Sequence, residues 1–199
     1  MITCIERKNT KLRHFPQHML SYVKIGVIGK EGGRLQLPVD AYLDIETTGL
    51  CSFYDEITVI GVCLANNFEN RLVQLVGGDV TRSNLLRTLR CVNTIYTYNG
   101  SRFDLPFIKA KLEIDLKDHF KHTDLMYDCW KQNLKGGLKG VERLLGIKRQ
   151  LLDVDGYMAV QLWWDYINNL NEQSLQTLLE YNREDLVNLR MLRRKLGIK

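Results

Sequence analysis

Three short strand-like runs, at 41–46, 57–64 and 71–76, the second apolar and rich in β-branched residues, follow one another before any helical period begins. The second and third are joined by the polar turn Asn66-Asn67-Phe68-Glu69-Asn70, a connection short enough to require an antiparallel hairpin. Strand and helix periods then alternate. Residues 81–90 carry Leu85, Leu86 and Leu89 at helical spacing, 94–98 read as a strand, and 105–112 read as a helix with Pro106 in its first turn. Beyond Asp124 the pattern is mainly helical. It ends in a long amphipathic helix over 172–195, with Leu175, Leu178, Leu179, Leu186, Leu189 and Leu192 on one side. A meander of three strands, then alternation, then helices predicts an α/β or α+β layout: a mixed sheet, antiparallel through the meander and with parallel strands beyond it, flanked by α-helices.

The chain has 199 residues, 45% hydrophobic and 26% charged, which excludes intrinsic disorder, a collagen-like sequence and a disulfide scaffold. The longest apolar stretch, 57–65, falls far short of the roughly 20 residues that span a bilayer. MITCIERKNT carries no apolar run behind its charges. A cytoplasmic protein with no membrane contact is the expectation. The five cysteines (Cys4, Cys51, Cys63, Cys91, Cys129) are scattered without a C-x-x-C, as expected of reduced thiols, several of them core, rather than a structural zinc site.

Residues 1–38 hold seven basic and two acidic side chains, a net +5 equal to that of the whole chain, so the other 161 residues sum to zero. Glycine and proline in KEGGRLQLP at 30–38 mark a turn or linker. The expected division is a basic N-terminal arm or extension, 1–38, and one domain, 39–199.

Acidic residues stand where an apolar core is otherwise expected. Asp44 and Glu46 lie two apart on a strand and therefore share a face. Either that face meets water, or the two carboxylates line a cleft where a cation must offset them. Asp104 precedes a proline-containing first turn, a good N-cap position, and also stands just past a strand end, where sheets offer ligand positions. Tyr181 and Asp185, four apart on the last helix, share a face that borders the leucine stripe. Asp185 should thus be half-buried, as a ligand or in an ion pair with Arg183 or Arg190.

Together these places resemble the three exonuclease motifs of the DnaQ-like superfamily, the 3′-to-5′ exonucleases of ribonuclease H-like fold. D-x-E-T-x-G-L is present as Asp44 to Leu50, N-x-x-x-F-D as Asn99 to Asp104, and Y-x-x-x-D as Tyr181 to Asp185, the form of the tyrosine branch (DEDDy). The C-terminal half, with LKGVERLLGI, VDGYMAVQLWWDY and LLEYNREDLVNL, looks most similar to the YprB-like ribonuclease H-like group. The resemblance implies that Asp44, Glu46, Asp104 and Asp185 hold two divalent cations, Mg²⁺ or Mn²⁺, for phosphodiester hydrolysis. Tyr181, with an ordinary pKa near 10, would orient water rather than act as base. Thr47, Gly49 and Leu50 would pack the terminal nucleotide, and Asn99 and Phe103 would shape the opposite wall. The implied substrate is single-stranded DNA or RNA with a free 3′ end, cut to nucleoside 5′-monophosphates. A structure-specific endonuclease of the same fold and a catalytically silent nucleic-acid-binding module are the alternatives.

Other features carry less. Asp153 and Asp155 read as a turn with Gly156, and Trp163 and Trp164 as packing. His14 and His18 straddle Pro16, which makes a metal pair improbable. Asp124 could support the site or bond local backbone. The basic stretch 131–149 (Lys131, Lys135, Lys139, Arg143, Lys148, Arg149) reads as a phosphate-tracking surface, and the run 190–199 equally as that or as a solvated helix end.

Overall fold

The structure, a computed structural model, describes residues 22–28, 39–66 and 70–198. Six strands, β1 (Tyr22–Ile28), β2 (Val39–Thr47), β3 (Ile57–Ala65), β4 (Asn70–Val76), β5 (Val92–Thr97) and β6 (Lys121–Asp124), form one sheet in the order β1-β4-β3-β2-β5-β6. The pairs β1·β4, β4·β3 and β3·β2 are antiparallel, whereas β2·β5 and β5·β6 are parallel. Six helices flank it: α1 (Arg82–Leu89), α2 (Asp104–Leu112), α3 (Leu125–Lys131), α4 (Leu138–Leu144), α5 (Gly156–Asn169) and α6 (Glu172–Lys195). This is the mixed α/β layout that the sequence pattern predicts.

Two strands have no counterpart in that pattern. β6 is Lys-His-Thr-Asp, four residues with no period-two apolar signal. β1 lies within the stretch read as a basic arm and pairs along the whole of β4, so the sheet extends into that stretch. The segment 30–38, residues 67–69 of the polar turn, Cys4 and the His14/His18 pair lie outside the described residues. None of the described helices is long and apolar enough to cross a membrane.

The period of two along β2 sorts its side chains between two cores. Val39, Ala41, Leu43 and Ile45 pack beneath α1 and α2 with Leu85, Leu89, Leu105 and Ile108. Tyr42 faces the other way, into the core built with α3, α4 and α6, and Asp44 and Glu46 share its face. All nine residues of β3 are buried, the pattern of a central strand covered on both sides. Cys63 and Cys129 are core, and Cys63, Cys91 and Cys129 are free thiols. Trp163 is fully buried against α6, and Asp155 caps α5 by accepting from the Met158 N–H, as a packing tryptophan and a turn should.

Helix α6 closes the second face. Asn171 caps its start, its six leucines are all buried, and Gly197 follows its end with φ +69°, the left-handed conformation in which glycine commonly terminates a helix. The helix comes close to the sheet only because residue 61 lacks a side chain. Gly61 lies in register between Asp44 of β2 and Gln74 of β4. A Cβ there would stand 2.1 Å from Asn182 Oδ1 and 2.7 Å from Leu186 Cδ1. Gly61→Ala should therefore destabilise the protein by about 1–3 kcal/mol, read as a lower urea midpoint with an unchanged m-value. An unaltered midpoint would show that α6 can lift without cost.

Candidate metal centre

Asp44 and Glu46 from β2 and Asp185 from α6 each bring a carboxylate oxygen to within 4.8 Å of the others. The strand period and the approach of α6 account for this convergence. Asp44 is half-buried, Glu46 and Asp185 are buried, and Glu46 Oε1 has no hydrogen-bond partner. A buried carboxylate oxygen without a donor, beside two other acids, is destabilising unless a cation completes it. The hard oxygen donor set fits a divalent ion.

Asp104, the first residue of α2, stands beside this cluster rather than within it. Parallel pairing of β2 with β5 stops at Tyr42 and Tyr96. Beyond that point Asp104 Oδ1 accepts from the Ile45 N–H at 3.1 Å, between the two acids of β2. Phe103, not Asp104, is the N-cap residue, and it makes no side-chain cap. Tyr181, one turn before Asp185, is buried, with Lys139 Nζ 4.9 Å and Arg149 Cζ 5.6 Å from its ring centre.

A family model described as the RNase H superfamily matches residues 41–197. The chain belongs to the RNase H superfamily. An uncharacterised protein YprB of Bacillus subtilis is 28% identical over a match covering 74% of this chain and 39% of that protein. The chain thus spans well under half of that relative's length. The family B DNA polymerase of Pyrobaculum calidifontis superposes with a TM-score of 0.62 at 16% identity, covering 89% of this chain and 29% of the polymerase. A structure described as the apo form of the nuclease gives 0.54 at 18% identity, covering 79% of this chain and 71% of the other. These two share the fold.

The remaining motif residues of this RNase H-like chain divide between loop construction and exposed surface. Thr47 Oγ1 donates to the Gly49 carbonyl at 2.6 Å, and a Cβ on Gly49 would meet the Asp55 carboxylate at 2.5 Å. Leu50 is 83% exposed. Asn99 takes φ +63°, a conformation asparagine tolerates, and its N–H donates to Asp124 Oδ1 at 2.8 Å. Phe103 packs 5.4 Å from Phe107, against the core under α2.

Several residues that hold this site have no place in the motif reading. Asn182 Nδ2 donates to Asp44 Oδ2 at 2.9 Å, while Gln74 Nε2 donates to Asn182 Oδ1 at 2.9 Å and to the Leu179 carbonyl at 2.8 Å. Asp124 accepts from the N–H groups of Asn99, Ser101 and Met126, so it bonds local backbone and at the same time ties down the turn leading to Asp104. The ion pair expected for Asp185 forms with a different arginine. Arg183 pairs with Glu180 and Arg190 donates to the Asn66 carbonyl, whereas Arg149 Nη2 bonds Asp185 Oδ1. Arg149 and Lys139, read as part of a phosphate-tracking surface, instead turn inward, Lys139 onto the Val154 carbonyl. The available sequence signal was a polar residue inside an apolar run, Gln74 in Leu72-Val73-Gln74-Leu75-Val76.

Burial first, then mutual repulsion, sets the electrostatics. Asp44 and Glu46 are held well above the usual carboxylate range by burial and by the charges of Asp185 and Asp104. Burial raises Asp104 to about 7 against the lowering effect of its backbone N–H partners, and Asp185 to about 6 against Arg149. A folded-state pKa above the unfolded value means that the folded protein holds the extra proton, so stability falls as pH rises. Without metal, Asp104 and Asp185 should lose their contribution between about pH 4 and pH 7. Asp104→Asn, which keeps an acceptor for Ile45, should raise the melting temperature of EDTA-treated protein by several degrees at pH 8 and by less at pH 5. Mn²⁺ should raise that of the wild type at pH 8. An unchanged or lower melting temperature for Asp104→Asn at pH 8 would contradict this account.

Proposed function

We propose that this chain is a metal-dependent 3′-to-5′ exonuclease of the tyrosine branch, cleaving single-stranded DNA or RNA to nucleoside 5′-monophosphates. The observation that carries the reading is the convergence of Asp44, Glu46 and Asp185, with Asp104 beside them and an unpartnered oxygen on Glu46. Two divalent cations held by these four residues, Mg²⁺ or Mn²⁺, would supply an activated water and neutralise charge on the leaving oxygen.

The chain's own groups do the positioning. Asn182 fixes one Asp44 oxygen and leaves the other for a cation. The Tyr181 hydroxyl is pushed above its ordinary value by burial and by the charges of Asp185 and Glu46. It therefore keeps its proton at neutral pH and serves as a hydrogen-bond donor that orients the attacking water or a phosphate oxygen, not as a base.

Preference for single strands is supported by the two loops that run on from the site residues. The loop after Glu46 exposes Leu50 together with Phe53 (79%) and Tyr54 (71%), whose rings pack edge to face at 4.9 Å. It is well braced: Asp55 accepts from the Cys51 N–H, the Asp55 and Tyr54 N–H groups donate to the Cys51 carbonyl, and the Glu56 N–H donates to Thr48 Oγ1. The loop after Arg149 exposes Leu152 and leads to Tyr157 at the start of α5. Six of the ten large exposed apolar side chains in the described residues belong to these two segments, counting Met158. Unstacked bases can cover such rings, whereas paired bases cannot.

Purified protein with Mn²⁺ should release mononucleotides from a 5′-labelled single strand, leave a circular strand intact and lose activity in Asp44→Ala. Cleavage of the circle would favour an endonuclease. Strand binding that survives EDTA, with no cleavage under either metal, would favour a silent binding module. Matched DNA and RNA strands identify the sugar preference. Phe53→Ala/Tyr54→Ala should raise KM for a short single strand by about tenfold or more while leaving Mn²⁺ affinity unchanged. An unaltered KM would remove this loop from the substrate path.

A further inference from the structure

The guanidinium beside the carboxylates is held through Nε and Nη2, while Nη1 is buried without a hydrogen bond. Glu142 of α4, itself buried, accepts from Arg149 Nε at 2.8 Å and from Nη2 at 2.9 Å. The same Nη2 bonds Asp185 Oδ1, and Nη1 lies 3.8 Å from Glu184 Oε2. Glu184 also accepts from the backbone N–H groups of Gln150 and Leu151, which pins the chain next to Arg149 onto α6. Both the head group and the backbone of this residue are therefore fixed relative to the helix that carries Asp185.

Two roles fit a cation in such a place. It could lower the repulsion among the acids by charge alone, or it could set the direction of the Asp185 carboxylate. The side chain of Arg149 is 3% exposed, and that of Glu142 2%, so neither offers a surface to substrate. Charge alone does not need a two-point fork onto a second buried acid: a lysine would supply it with one bond, and Lys139 already stands nearby, over the Tyr181 ring. The fork confers direction. It also explains why a full negative charge, Glu142, is buried at the back of a site already rich in acid. Glu142 clamps the arginine.

We infer that Arg149, clamped by Glu142, is a positioning residue that aims the Asp185 carboxylate at the point shared with Asp44 and Glu46. The inference rests on the metal-binding reading above. It acts through Asp185 and predicts an effect opposite in sign to that of simple electrostatics. Removing a positive charge from beside a cation site tightens cation binding if charge is all that matters. Removing the residue that orients a ligand weakens binding, commonly by 10–100-fold.

Mn²⁺ affinity of the full chain, measured by electron paramagnetic resonance at pH 8, separates the two. Arg149→Gln and Arg149→Lys should both bind Mn²⁺ at least about tenfold more weakly than wild type, and lysine should not rescue. The pair Glu142→Gln/Arg149→Met leaves the net charge unchanged and removes both buried ions together, a replacement that folded proteins commonly tolerate. It should lose affinity to the same extent while its Mn²⁺ spectrum changes. Wild-type affinity in Arg149→Lys, or wild-type or tighter binding in the paired variant, would overturn the inference. Failure of wild-type protein to bind Mn²⁺ would instead overturn the metal reading. Should the variants not fold, arginine-detected NMR of the wild type decides: the Arg149 Nη signals should remain in slow rotation, as in a held fork, when Mg²⁺ is added, and their release on Mg²⁺ binding would refute the role.

Discussion

Three carboxylates, Asp44, Glu46 and Asp185, meet where β2 passes beneath α6, with Asp104 beside them, in surroundings that solvate charge poorly. Their repulsion is the condition that the rest of the site must satisfy. Backbone and amide donors meet part of it, through the Ile45 N–H on Asp104 and Asn182 on Asp44. Arg149 meets another part on Asp185. One oxygen of Glu46 is left over. The folded chain thus keeps an electrostatic deficit that a divalent ion would remove, so metal binding and folding stability would be linked through the same four groups.

Two buried polar chains reach this point through neighbouring positions of α6. One runs from Gln74 through Asn182 to Asp44, and the other from Glu142 through Arg149 to Asp185. Each begins on a side chain remote from the acids and ends on a carboxylate. The first depends on the missing side chain at Gly61, without which Asn182 could not lie over β3. The second depends on Glu184, which anchors the chain after Arg149 to the helix. Helix α6 is therefore more than a hydrophobic cover. Its leucines set its depth in the core, and residues 182, 184 and 185 convert that depth into the direction of the carboxylates.

What the sequence revealed was whatever depends on local period and local chemistry. Helix α6 was legible because its leucine stripe is a local, periodic signal. The shared face of Asp44 and Glu46 followed from the strand period, and their motif context pointed to Asp185. Partners that arrive from distant segments were not legible. A helix-based search for the Asp185 counter-ion considers neighbours within a turn or so, hence Arg183 and Arg190, while the arginine actually used lies 36 positions away. Asp104 was ambiguous for a similar reason. Its N-cap pattern is local, yet its carboxylate bonds Ile45, 59 positions away, because β5 has already diverged from β2. β6 had no apolar pattern to read, since its residues matter for pairing with β5 and for presenting Asp124 rather than for filling a core.

The same long-range pairing changes the meaning of the charge distribution. The stretch 131–149 looks uniformly basic in one dimension. In three dimensions Lys139 and Arg149 face the carboxylates, Lys131 sits on Asp128, and only Lys135, Arg143 and Lys148 remain exposed without an ion-pair partner among those described. In the run 190–199, Arg193 is held by Asp40 and stacks 4.0 Å over Tyr96, which ties the end of α6 to the start of β2. Basic residues close to the acids therefore serve architecture, and those farther out remain free to follow a phosphate backbone. A chain that cuts nucleic acid needs both, because an acidic site would repel its own substrate unless bound cations reversed the local sign. Under the proposed function, Arg149 held against Glu142 would stand out of reach of phosphate, and that reversal would fall to bound cations.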